Sequence, residues 1–245
     1  MTLDAALPVY RYEELDSTST ECRRRYAAGE TRCLVLAEAQ TAGRGRGEKT
    51  FYSPAGAGLY MSLLFPGEKL EGLTPYVAVR VAEAIEKLTG RECGIKWVND
   101  LFFEGKKVCG ILAERLGKCV ILGIGINLTR TAVPEELRDI MGCLGLEGSD
   151  AGLREQLAAE IAKGLLAWPA ADAGYMEEYR RRSVVLGRRV RFSRNGAETE
   201  GTAVGIAGDG ALEIDTPGGR VVLRSGEVSL CSVEGLSLRG AQRKK

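Results

Sequence analysis

Two apolar runs separated by a glycine- and arginine-rich stretch constrain this chain most. Residues 33–40 read Cys-Leu-Val-Leu-Ala-Glu-Ala-Gln, and residues 58–65 read Gly-Leu-Tyr-Met-Ser-Leu-Leu-Phe. Runs this apolar suit interior strands rather than exposed edges. Between them lies Gln40-Thr41-Ala42-Gly43-Arg44-Gly45-Arg46-Gly47-Glu48-Lys49-Thr50. Glycine admits positive φ and lets the backbone approach a ligand closely. Successive N–H groups there form a nest for an anion. Arg44 and Arg46 add planar forks that match a carboxylate or a phosphate. The stretch reads as a loop that closes on an anionic small molecule; a solvated basic turn is the competing reading. It is not a Walker A loop, because Glu48 stands where a glycine is required and Phe51-Tyr52-Ser53-Pro54 does not open a helix.

The rest of the chain predicts an α+β fold. Thr18 followed by Glu21 is a capping-box pattern, with a helix to about Ala28 and Gly29 as its stop. A second helix is expected from Thr74 as N-cap, with Ala78, Val81, Ile85 and Leu88 on one face and Gly90 at its end. Glu104-Gly105-Lys106 predicts a hairpin turn, with strands over 107–114 and 120–127. Turns this short imply antiparallel pairing, hence a mixed or antiparallel sheet with helices on one side. A loop at Thr129 to Pro134, a short helix over 134–144, an amphipathic helix from Ser149 to about Trp168 and a last helix over 173–182 follow. From Val184 on, short alternating strands and glycine turns predict a small five-stranded barrel. The expected units are residues 1–183, a barrel over 184–235, and a disordered basic tail over 236–245.

Composition narrows the chemistry. The chain has no histidine, which excludes a Ser-His-Asp triad and a Cys-His pair. Catalysis must then rest on positioning, on Arg and Lys electrostatics, on carboxylates or on a bound cation. The seven cysteines form no C-x-x-C pair, so they read as small core residues of a reducing cytoplasm. A net charge of +1 and 6% aromatic residues disfavour an RNA-binding protein built on the Gly-Arg repeat. No apolar run reaches the length of a membrane span, and Met1-Thr2-Leu3-Asp4 does not open a signal peptide. The expectation is a cytoplasmic protein without a membrane partner.

Four polar elements fall on one predicted sheet: Ser17-Thr18-Ser19, Gln40 to Arg46, Lys96 to Asp100, and Lys107 with Gly110. In this order and spacing the chain resembles a biotin–protein ligase. Gln40-x-Ala42-Gly43-Arg44-Gly45-Arg46 is similar to that family's biotin loop, and Lys96-Trp97-Val98-Asn99-Asp100-Leu101, followed by Lys107, to its second signature. Gly110-Ile111-Leu112-Ala113-Glu114 and Gly123-Ile124-Gly125-Ile126-Asn127 continue the likeness.

The resemblance implies a class II synthetase-like domain with an SH3-like barrel at its C-terminal end. It implies that biotin and ATP, with Mg²⁺, form biotinyl-AMP, from which a lysine of a biotin carboxyl carrier domain takes the biotin. By resemblance, Lys107, Arg46 and Asp100 are catalytic. Ser17, Thr18, Ser19, Gln40, Gly43, Arg44, Gly45, Arg46, Lys107 and Gly110 would hold biotin. Arg46, Lys96, Asn99, Lys107 and Asn127 would meet ATP. Asp100 would bind Mg²⁺ or orient the incoming lysine. The glycine-rich loop and the loop at Thr129 to Pro134 are candidate lids, since an acyl-adenylate must be kept from water.

Three positions depart from the family's usual pattern: Val98 for proline, Ser19 for asparagine and Phe51 for tryptophan. With about fifteen residues before Asp16, the expectation is a monomeric or homodimeric ligase that does not bind DNA. The barrel would support ATP or carrier binding, or act as a stability cap. The runners-up are a non-catalytic module for an anionic metabolite on the same fold and a lipoate-type acyl ligase. Lys107 and Asp100 argue against the first, because a pure binder needs neither.

Overall fold

The computed structural model describes residues 7–47, 49–67, 70–147, 151–168, 174–194 and 196–231. Its first sheet is built from β1 (Val9–Leu15), β2 (Cys33–Gln40), β3 (Gly58–Pro66), β4 (Gly94–Lys96), β5 (Asp100–Phe103), β6 (Lys106–Leu116) and β7 (Cys119–Asn127). They lie in the order β1-β2-β3-β7-β6-β5-β4. Only β1 runs parallel to its neighbour; the other pairs are antiparallel, giving the mixed sheet the sequence implies. The turn between β5 and β6 places Glu104 and Gly105 at positive φ, as a tight hairpin demands.

Strand alternation sorts the side chains onto two faces. Leu34 and Leu36 of β2, with Leu59, Met61, Leu63 and Phe65 of β3, join one large core. That core is closed by α2 (Leu73–Thr89), α3 (Ala151–Leu166) and α4 (Tyr175–Arg182), through residues such as Val77, Ile161 and Tyr179. Cys33, Val35 and Leu64 point the other way and pack with Cys22 of α1 (Thr18–Ala27). So α2 to α4 form the one-sided helical layer, while α1 alone covers part of the opposite face. Five cysteines are buried free thiols, consistent with their reading as core residues.

Local boundaries differ in three places. The capping box at Thr18 does not form. Ser17 is the N-cap, without a side-chain cap bond, and Thr18 is the first helical residue. Glu21 instead accepts from Tyr12, Arg24 and Arg25. The second helix begins after Gly72 rather than Thr74, which puts Pro75 still within the first turn, where its missing N–H has no helical partner to lose. Of the helix expected over 134–144, only a 3-10 turn at Glu135–Leu137 forms.

The second sheet contains β8 (Arg189–Arg194), β9 (Ala197–Ile206), β10 (Leu212–Thr216), β11 (Gly219–Leu223) and β12 (Val228–Leu230). Its order is β11-β10-β9-β8-β12, all antiparallel. It is fastened to the rest of the fold by Trp97 Nε1 of the β4–β5 turn, which donates to the Gly210 carbonyl at 2.8 Å, and by Arg180 Nε of α4, which donates to the Ile206 carbonyl at 2.7 Å. The tail expected to be disordered lies outside the described residues.

One buried cation fixes α4. The Arg182 side chain is 4% exposed and pairs with Glu86 and Glu178, each at 2.5 Å. Hydrogen bonds from Arg181 above all, and from Arg182, hold the Glu178 carboxyl down at about 2, against the effect of burial. An unfolded glutamate titrates near about 4.3. The folded value is the lower one, so this contribution is complete above that pH and is lost as pH falls toward 2. In Glu178→Gln, the acid limb of Tm against pH is expected to be flatter between about pH 4 and 2 than in the parent.

Candidate active site

A β-bulge sets the site's central lysine. Asp100 pairs with Gly110 and Leu101 with Cys109, but Phe102 pairs with Lys107, so β6 carries one extra residue there. Residues 107 and 110 are an odd number apart and would face opposite sides of a regular strand. The extra residue restores Lys107 to the face that carries Asp100 and Gly110. There Lys107 Nζ lies 2.8 Å from Asp100 Oδ1.

That face is floored by glycine. A Cβ on Gly125 of β7 would meet the Phe51 ring at 2.4 Å, and one on Gly110 would meet it at 3.1 Å. A Cβ on Gly123 would meet Ser19 Oγ at 2.7 Å. Glycine inside a strand marks such close approach. Phe51 therefore lies flat across two strands, and a cavity of about 500 Å³ opens around it.

One end of the cavity is hydroxyl-rich. Ser17, Thr18 and Ser19 line it from the start of α1, with Gln40 from the end of β2. Gln40 Oε1 accepts from the Thr18 N–H at 2.9 Å and from its hydroxyl at 3.2 Å. Thr18 Oγ1 and Ser19 Oγ both reach Ser62 Oγ, at 2.7 and 3.0 Å. Gln40 Nε2 donates to Ser53 Oγ at 2.8 Å. The Thr18 and Ser19 hydroxyls are thus fixed by a network rather than left to rotate in solvent.

The other end is cationic and amide-rich. Lys96, Asn99, Asp100 and Asn127 line it, as do Leu137, Ile140 and Met141. Burial pulls the Lys96 ammonium below its usual range, with Asp100 opposing. Asn127 donates to the Gly142 carbonyl at 3.0 Å, yet its Oδ1 is buried without a partner among the described residues. Among those residues no group of three or more His, Cys, Asp or Glu converges. Among the described residues there is thus no all-protein metal cage, and Asp100 is a carboxylate already held by Lys107.

The glycine-rich loop arches over both ends. It folds as a narrow arm: Arg44 bridges Thr50, Phe51 N–H donates to the Gly43 carbonyl at 2.8 Å, and Gly45 N–H to the Lys49 carbonyl at 2.8 Å. Arg46 Nη1 donates to Asn99 Oδ1 at 3.3 Å and to the Gly226 carbonyl at 3.0 Å. Lys49 pairs with Glu227, just before β12, so the arm touches the second sheet. The second candidate lid meets it, since the Tyr52 hydroxyl donates to the Ala132 carbonyl at 3.1 Å.

Of the residues singled out from sequence, all line this cavity except Gly43. Gly43 is packed behind the loop, where a Cβ would meet the Phe51 carbonyl at 2.4 Å. It shapes the arm rather than facing the cavity. Sequence reasoning missed the barrel's share, Glu227, Val228 and Ser229, which no spacing ties to the first sheet. It also missed Ser62, although a lone serine inside an apolar strand is a usable signal.

Comparison with known proteins places this geometry. Residues 12–127 match the model of the biotin/lipoate A/B protein ligase family, and residues 185–231 that of the biotin protein ligase C-terminal domain. A biotin–[acetyl-CoA-carboxylase] ligase of Mycobacterium tuberculosis is 31% identical over 86% of this chain and 85% of its own length. The chain belongs to the biotin/lipoate protein ligase family. The bifunctional ligase/repressor BirA of Bacillus subtilis is 33% identical over 80% of this chain, and the match spans 66% of that relative's length. A solved biotin protein ligase from Aquifex aeolicus, in complex with biotin and ATP, superimposes with a TM-score of 0.79 at 29% identity. It covers 92% of this chain and 99% of its own. Both matched family segments contribute to the cavity, the first its floor and loop, the second its Glu227 to Ser229 rim.

Proposed function

We propose that this chain joins biotin to ATP and passes the biotin to a lysine of a biotin carboxyl carrier domain. The observation that carries the reading is the fixed Lys107 between a hydroxyl-lined end and a cationic, amide-lined end of one cavity. In the first step a carboxylate oxygen of biotin attacks the α-phosphorus of ATP. The bond to the β-phosphate oxygen breaks and pyrophosphate leaves. In the second step the carrier lysine attacks the acyl carbon and AMP leaves.

Both first-step substrates are anions, so cations must offset their repulsion and the charge that develops at phosphorus. Lys107 has three N–H donors. One holds Asp100; the remaining two would reach the biotin carboxylate and the α-phosphate. Arg46 and Lys96 would face the phosphates, while Asn99 and the unpartnered Oδ1 of Asn127 would meet the nucleoside. Ser17, Thr18, Ser19 and Gln40 would hydrogen-bond the ureido ring, with backbone N–H groups at Arg44 and Gly45. The Phe51 ring on its glycine floor would hold the apolar part of biotin.

Magnesium would arrive with the triphosphate, as this ion binds through one or two carboxylates plus phosphates. Asp100 is the carboxylate that would meet it, and the ion would supply charge neutralisation there. Residues up to 183 would act as the catalytic unit and 184–235 as a barrel that closes the nucleotide end. The Lys49–Glu227 contact supports that role over a distant stability cap.

Transfer of labelled biotin to a purified carrier domain, with and without ATP, tests the reading. ATP-dependent labelling of one lysine is expected, and labelling absent under all conditions would sink it. A narrower result is expected at the floor. Gly125→Ala would push its methyl into the Phe51 ring, an overpacking worth about 1–3 kcal/mol, so biotin should bind roughly tenfold or more weakly by calorimetry.

A further inference from the structure

Glu114 of β6 sits outside the reaction's chemistry, yet it collects two guanidinium groups. Its Oε1 accepts from Arg23 of α1 at 2.8 Å and from Arg44 of the glycine-rich loop at 2.9 Å. The Glu114 side chain is 19% exposed, while Arg46 and Lys49 at the tip of the same loop bond to the exposed Gly226 carbonyl, the half-buried Asn99 amide and the exposed Glu227 carboxylate. The tip cations are the ones a phosphate would draw away. Arg44 is the anchor that no ligand needs to break.

The second oxygen of Glu114 is buried and has no partner among the described residues. A buried carboxylate oxygen left unpaired is costly. Arg44 offers further N–H donors in a fixed fork, and a small inward shift of the loop would convert its single bond into a paired one. We infer that Glu114 is a positioning residue: it holds Arg44 so that the stem of the loop stays over the biotin end, and its open oxygen favours the tightened arm once ligand is bound. The inference rests on the proposed binding of biotin in this cavity.

The test is the rate of biotin release, followed by stopped-flow on the full chain. Glu114→Ala and Arg44→Ala are each expected to release biotin about tenfold faster or more, the scale of a charge-assisted hydrogen bond. The double variant should be no faster than the quicker single one, because both changes remove the same contact. Glu114→Gln keeps an acceptor without the charge and should fall between parent and Glu114→Ala. It also serves if Glu114→Ala does not fold. Arg23→Ala keeps the loop contact and should leave release within about twofold of the parent. Unchanged release in Glu114→Gln and Arg44→Ala overturns the inference. So does release in Arg23→Ala as fast as in Glu114→Ala, since the effect would then run through α1. Failure of the parent chain to bind biotin at all would instead strike the proposed function.

Discussion

Lys107→Ala is expected to lower biotin-dependent adenylate formation at least about a hundredfold, the scale of losing one preorganised donor to developing charge. Three observations set that size. The lysine sits between the two ends of the cavity, it is only 28% exposed, and Asp100 fixes its ammonium at 2.8 Å. Removing it leaves two anions facing each other with no cation at their junction, and leaves Asp100 unpaired beside them. The loss should fall on kcat as well as KM, because the charge it offsets is greatest in the transition state. Lys107→Arg should recover little, since a bulkier planar fork does not replace a compact ammonium held by one carboxylate. Turnover of Lys107→Ala near that of the parent would remove the residue from the reaction.

Arg46→Ala is expected to cost about as much, roughly a hundredfold in adenylate formation, for a different reason. Arg46 ties the loop tip to Asn99 on the β4–β5 turn and to the Gly226 carbonyl of the barrel. With the nucleotide bound, that guanidinium would turn to phosphate. The substitution therefore removes a cation and the tie that seats the arm. Its signature should be weaker ATP use with biotin affinity less affected, measured as separate KM values. An unchanged KM for ATP would argue that Arg46 only latches the loop.

The two strands flanking the glycine-rich stretch, β2 and β3, were legible because fully buried strands leave continuous apolar runs in the sequence. The tight β5–β6 turn was legible from Gly105, the residue type that takes positive φ most readily; that Glu104 takes it too has no signal in its type. The start of α1 was misjudged, because Thr18 has two uses for its hydroxyl. Gln40 and Ser62, which are distant in sequence, win it from the helix cap. The helix expected over 134–144 shrank to one turn. Its chain is spent instead on pairing with Lys107 and lining the cationic end of the cavity with Leu137, Ile140 and Met141. The bulge that turns Lys107 inward has no local signature, since it arises from pairing between two strands.

The site shows the same division. Residues that contribute charge or hydroxyls could be singled out only through the family resemblance that their order and spacing carry. Those that act by being small, such as Gly125, or by closing from the barrel, such as Glu227, depend on contacts made only in the folded chain.

In the proposed reaction one cavity brings biotin and ATP together across Lys107 so that an acyl–phosphate bond forms. Exchange of labelled pyrophosphate into ATP reads that bond directly, without any carrier protein. Exchange should appear only when biotin is added and should collapse in Lys107→Ala. Exchange of equal rate without biotin, or none with both substrates present, would contradict it.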